Sequence, residues 1–131
     1  ERMCVIDGNN IHIYPILLFD IDGSEDERNS TVINFIFDKI DNLLSNDVNY
    51  ISFHVHTDGM KLSQVPKFKK IVSIFIQIVT VKYSTELLDK CYLYDVNRAM
   101  KMILDIIKPA LPAVVKTKMI IVKEVCDDMD E

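Results

Sequence analysis

KYSTELLDKCYLYDVNRAMKMILDIIKPALPAVVKTKMIIV, residues 82–122, is the stretch whose reading decides the fold. Within it, DKCYLYDV reads as a short strand and TKMIIVKEV opens a last one. Between them, DVNRAMKMILDIIKPALP places Ala99, Met100, Ile103, Ile106 and Ile107 at intervals of one, three and four, the apolar side of a helix. Pro109 and Pro112 bound that helix, because proline lacks the N–H needed to continue it. Strand, crossover helix and strand make a parallel βαβ unit.

The same alternation extends upstream. PKFKKIVSIFIQIVTVKY begins at Pro66, a residue suited to a first helical turn, and carries Phe68, Ile71, Val72, Phe75, Ile78 and Val79 at helical spacing. Its apolar content predicts a helix buried on most sides. VNYISFHVHTDG sets Tyr50, Ser52, His54 and His56 against Ile51, Phe53 and Val55, a strand ending in the Asp58–Gly59 turn. STVINFIFDKIDNLLS spaces Val32, Ile33, Ile36, Phe37, Ile40, Leu43 and Leu44 for a one-faced helix, with Asn29 or Ser30 as its expected cap. At the start, MCVI and IHIYPILLF flank DGNN, a hairpin signal. Pro15 should lie near a strand start or edge, which puts the core of the second strand at Ile16–Asp20. These readings predict an α/β domain: a mixed, mostly parallel sheet of about five strands with covering helices. One domain is expected over residues 1–125, followed by an acidic tail over 126–131.

Composition narrows the function. A net charge of −5 gives no basic face for nucleic acid. The local clusters, Lys67, Lys69 and Lys70, then Lys116, Lys118 and Lys123, read as solvated flanks or as a site for anionic headgroups or phosphates. Cys4, Cys91 and Cys126 form neither a metal-binding spacing nor an even set for disulfides, so they read as thiols of a reducing compartment. No apolar run reaches the roughly 18 residues of a spanning helix, and cytoplasmic residence is the expectation. His54 and His56 share a strand face and could chelate a metal with a third ligand, but two histidines alone favour a plain polar face. No cofactor and no metal site is expected.

Two resemblances remain. FDIDGS, Phe19–Ser24, resembles the first motif of the haloacid dehalogenase superfamily, in which an aspartate at a strand end attacks phosphate. That resemblance would make Asp20 the nucleophile and Asp22 the acid/base. Thr57 would bind phosphate, Lys101 or Lys108 would steady the nucleophile, and Asp127 with Asp128 would hold Mg²⁺. Against it, the acidic pair lies within four residues of the chain end and the lysines sit in or at the end of an amphipathic helix.

The second resemblance covers nearly the whole chain. The succession from Tyr83 and Glu86 through Lys108 and Pro109, with Leu111 in the following apolar position, to Thr117–Lys118 before the last strand is similar to the CRAL-TRIO domain. In that lipid-binding family the corresponding motifs are Tyr-Pro-Glu-Arg and Lys-Pro-Phe-Leu. Upstream, HTDGMKLS resembles the family's Asp-x-x-Gly-Leu-Ser strand end, and the opening hairpin fits as well. Ser84 replaces the proline of the first motif, Tyr94-Asp95-Val96 replaces an Asn-Ala-Pro turn, and the gate-helix aromatics are methionine and isoleucine. The chain thus resembles a divergent, minimal member.

The resemblance implies a non-catalytic module that takes a phospholipid or other hydrophobic ligand beneath a gate helix at residues 97–111. Met100, Ile103, Leu104, Ile107, Leu111 and Phe75 are the expected pocket or gate residues. The alternative is a closed-core scaffold or assembly module that contacts a protein partner or a second copy of itself. Membrane contact is expected to be peripheral at most.

Overall fold

The computed structural model describes residues 3–20, 23–83 and 85–123. The chain opens as a hairpin, β1 (Cys4–Asp7) and β2 (Asn10–Ile13), with Asp7 opposite Asn10. Gly8 takes φ +64° in the first central position of the two-residue turn, the backbone that a type II′ hairpin demands of glycine.

The second strand therefore ends before Pro15, which corrects the expectation of a strand core at Ile16–Asp20. Those residues belong to a short 3₁₀ turn, Pro15–Asp20. Ladder pairing explains the difference. Asn10–Ile13 pairs with β1 on one side and β3 on the other, so β2 is internal to the sheet, where proline has no place.

Helix α1 spans Glu25–Ser45, starting earlier than Asn29 or Ser30. Ser24 caps it: the Glu27 N–H donates to Ser24 Oγ at 3.2 Å, and the Ser24 N–H donates to Glu27 Oε1 at 3.0 Å. Glu25, Asp26 and Glu27 add negative charge to the positive end of the helix. Gly23 makes the tight approach possible, since a Cβ there would sit 3.3 Å from Glu27 Oε1 on a backbone at φ +115°.

Next come β3 (Ile51–His56), α2 (Val65–Lys82), β4 (Leu88–Tyr94), α3 (Arg98–Ile107), α4 (Ala113–Thr117) and β5 (Met119–Ile121). Strand order is β1-β2-β3-β4-β5, with the hairpin antiparallel and every other pair parallel. The sheet is thus mixed and mostly parallel, with five strands. Because the parallel strands lie in sequential order and crossovers are right-handed, α1, α2 and α3 fall on the same face of the sheet.

Strand alternation then gives each face its own chemistry. Ile11, Ile51 and Leu93 point into the helical layer and are buried, with Phe53 and Val55 half-buried beside them. Val32, Ile33, Ile36, Phe37 and Ile40 of α1, Phe68 and Ile71 of α2, and Met100 and Ile103 of α3 complete that core. Asn97 ties α3 to the loop after β3: its Oδ1 accepts from the Met100 N–H at 3.0 Å and its Nδ2 donates to the Met60 carbonyl at 2.8 Å. Of the expected apolar positions on α3, Ile106 is corrected: it is 46 % exposed, while Leu104 is buried.

Candidate functional site

Between the sheet and its helices runs an apolar cavity of about 260 Å³, partly open to solvent. Ile51, Phe53, Val55, Cys91 and Leu93 form its floor. From α1 it takes Val32, Ile33, Ile36 and Ile40; from α2, Phe68, Ile71, Phe75 and Val79. Met100, Leu104 and Ile107 of α3, then Leu111 and Val115, close its far side. Helices in βαβ units run antiparallel to their strands, so the lining stretches from Pro15, Val55 and Phe68 at the strand C-termini to Tyr83, Leu88 and Met119 at the N-termini.

Five of the residues expected in a pocket, Phe75, Met100, Leu104, Ile107 and Leu111, line this cavity. Ile103 does not. Met100, Leu104, Ile107 and Leu111 follow one another at three and four residues and form a single stripe, whereas Ile103 lies one step round the helix and packs, wholly buried, in the solid core. Of the four motif positions, Tyr83 lines the cavity. Glu86, Lys108 and Pro109 are exposed on short 3₁₀ turns at Thr85–Leu87 and Lys108–Ala110.

Few polar groups reach the lining, and those that do are occupied. Thr80 Oγ1 donates back to the Ile76 carbonyl at 2.8 Å. Tyr83 Oη donates to Asp41 Oδ1 at 2.6 Å, and Lys82 Nζ stands 3.3 Å from Asp41 Oδ2. Burial, with the Asp41 bond second, raises the Tyr83 phenol above its ordinary range, while that bond holds the Asp41 carboxyl low. Burial also pushes the Cys91 thiol up to about 12, so the floor carries no thiolate at neutral pH. Apart from Thr80, Tyr83 and the Cys91 thiol, the lining is hydrocarbon.

Among the described residues, the members of the phosphoryl-transfer constellation are not brought together. Asp20 closes a 3₁₀ turn instead of a strand, and Asp22, Asp127 and Asp128 lie outside the described residues. Thr57 is fully buried, and its hydroxyl donates to the Tyr94 carbonyl at 2.9 Å and the Asp95 carbonyl at 3.3 Å. It has no proton left for a phosphate. Lys101 and Lys108 sit on α3 and the 3₁₀ turn after it, exposed.

The opposite sheet face holds a cluster that the sequence reading reached only in part. His54 and His56 do share it, and His12 of β2 joins them. The signal was the alternation of His12 between Ile11 and Ile13, hidden inside a longer apolar run. Among the described residues no group of three or more histidine, cysteine or acidic side chains is placed to hold a metal.

Comparison with known proteins agrees with the topology. The family model for the CRAL/TRIO domain matches residues 2–131. No curated protein and no solved structure matches the chain.

Proposed function

Because the chain belongs to the CRAL/TRIO domain family, we propose that it is a non-catalytic module holding the hydrocarbon chain of a lipid in the cavity between sheet and helices. The observation that carries this reading is the cavity itself, about 260 Å³ lined by apolar side chains from every layer of the fold. At about 30 Å³ for a water-sized group, that volume of about 260 Å³ takes about nine methylene-sized groups. It suits one acyl chain of medium length better than the two of a diacyl phospholipid, and it lies just below the usual range of small-molecule sites.

Residues 97–111 then serve as the gate. Met100, Leu104 and Ile107 face the chain, while Met102 and Ile106, each 46 % exposed, present apolar groups outward for contact with a bilayer surface. No helix among the described residues is long and apolar enough to cross a membrane.

Native mass spectrometry of the purified protein, followed by calorimetric titration with monomeric decanoyl lysophosphatidylcholine, tests the reading. A co-purifying lipid or a saturable one-to-one isotherm is expected. A bare protein that takes up nothing would refute it, and a stable oligomer formed by such a protein would identify an assembly module instead.

A further inference from the structure

All three histidines of the chain meet on the sheet face opposite α1, α2 and α3, which carries no helix among the described residues. They interleave with three of its five tyrosines: Tyr14 stacks on His56 at 4.5 Å, His56 on Tyr94 at 4.5 Å, His12 on His54 at 4.5 Å, and His54 on Tyr92 at 4.8 Å. Two sets of hydrogen bonds engage the rings. His12 Nδ1 and His56 Nε2 lie 3.0 Å apart and share one proton. His54 Nε2 donates to Asn10 Oδ1 at 2.8 Å, and in the neutral ring, which burial favours, Nδ1 accepts from Tyr94 Oη at 2.7 Å.

Added protons disturb both sets. If both nitrogens of the His12–His56 pair carry protons, two N–H groups face one another and the bond is lost. A charged His54 turns its Nδ1 from acceptor to donor, and it sits against His12 at 4.5 Å.

The surrounding charges do not cancel this. From β1, Asp7 lies on this face opposite Asn10; Asp58 follows β3, and Asp95 follows β4 with Lys123 3.9 Å from it. Asp89 reaches Ser52 at 3.5 Å, and Lys90 shares the parity of Tyr92. β5 contributes Ile120 beside Tyr92 and no titratable group. Burial lowers the affinity of His54 and His56 for a proton, as does the His12 ring, while Asp58 and Asp95 only partly restore it at His56.

The strands that carry this layer also floor the cavity. His12 adjoins Ile13, His54 and His56 flank Val55, and Tyr92 and Tyr94 flank Leu93. We propose that the histidine–tyrosine layer is a proton-operated control on the cavity: protonation breaks the cross-strand imidazole bonds, shifts β2, β3 and β4 against one another, and loosens the apolar site on their other face. This regulation rests on the lipid-binding reading, and acidification is the releasing signal.

Two measurements separate the claims. In ligand-free protein, the methyl resonances of Ile13, Val55 and Leu93 should titrate together with the histidine ring protons, and in His12→Phe/His54→Phe/His56→Phe, which keeps the aromatic layer but removes every titrating ring, they should not shift over the same pH range. Methyl groups that stay still while the rings titrate would overturn the coupling, whether or not any lipid binds. Decanoyl lysophosphatidylcholine, whose headgroup does not titrate in this window, should bind about tenfold more weakly near pH 5 than near pH 7.5, the effect of one pKa unit of linkage. The triple variant should bind alike at both. Binding at neutral pH that persists unchanged in acid would refute the control and leave the binding function standing. Absence of binding at either pH would refute the binding function, while the methyl titration still decides the coupling.

Discussion

Thr57 shows how far a side chain's bonds decide its role. Its hydroxyl fastens the end of β3 to the carbonyls of Tyr94 and Asp95 with no exposure to solvent, so it is a clasp between neighbouring strands. Thr57→Val keeps the shape but removes the donor, and urea denaturation should show a loss of about 1–2 kcal/mol. Ser24→Ala should cost about 1 kcal/mol in the same assay, through loss of the capping box that starts α1. That cap was readable as Ser-x-x-Glu in the sequence. The first turn, Glu25–Glu27, holds only acidic residues, so the apolar stripe becomes visible only at Val32 and draws the expected start too late. Asn29, taken as a cap, is instead a buried residue inside α1 whose Nδ2 finds no partner among the described residues. Asn29→Leu should leave stability unchanged or raise it, because a buried amide without a bond carries a desolvation penalty that leucine lacks.

Elements with a long periodic pattern were legible, and those without one were not. α2 and α3 show the 3.6-residue repeat, and β3 shows alternation ended by Asp58–Gly59, so their bounds fall close to expectation. IHIYPILLF carries no period, since its residues are almost all apolar. Only pairing on both sides of Asn10–Ile13 reveals that the strand stops before Pro15 and a 3₁₀ turn follows. The five residues of α4 are too few to display a period at all. Within α3 the period predicts an apolar side but not its edge: Ile103 is wholly buried while Ile106 is 46 % exposed. Ile103→Ala should therefore cost about 2–4 kcal/mol by denaturant unfolding. Ile106→Ala should stay within about 0.5 kcal/mol. Equal costs would mean that α3 is rotated from the position described.

For the molecule as a whole, two pH windows of stability follow. His54 and His56 have lowered affinity for protons when folded, so between their folded pKa values and the ordinary histidine value the unfolded chain binds more protons. Stability is then full above about pH 6.5 and falls as pH drops through that window. Glu25, Glu27 and Asp41 are also held low, by Lys70, Ser24 and Tyr83 respectively, and they withdraw their support only at more acid pH, below the ordinary carboxylate range. Thermal melts across pH should show two steps, and His12→Phe/His54→Phe/His56→Phe should flatten the first alone. Family membership was legible at this scale because Tyr83, Lys108, Pro109 and Leu111 keep their order along the chain. The cavity was not, since the same leucines and isoleucines can close a solid core, and only their placement across the sheet and the helical layer leaves the space.

Whether that space takes a lipid chain is decided by Leu104→Phe, read out by melting temperature and by binding of decanoyl lysophosphatidylcholine together. Extra carbon in a filled core costs about 1–3 kcal/mol. In the cavity it occupies room already present, so the expected result is a melting temperature equal to or above that of the parent with lipid binding abolished. A lowered melting temperature with binding unchanged would contradict a lipid site beside α3.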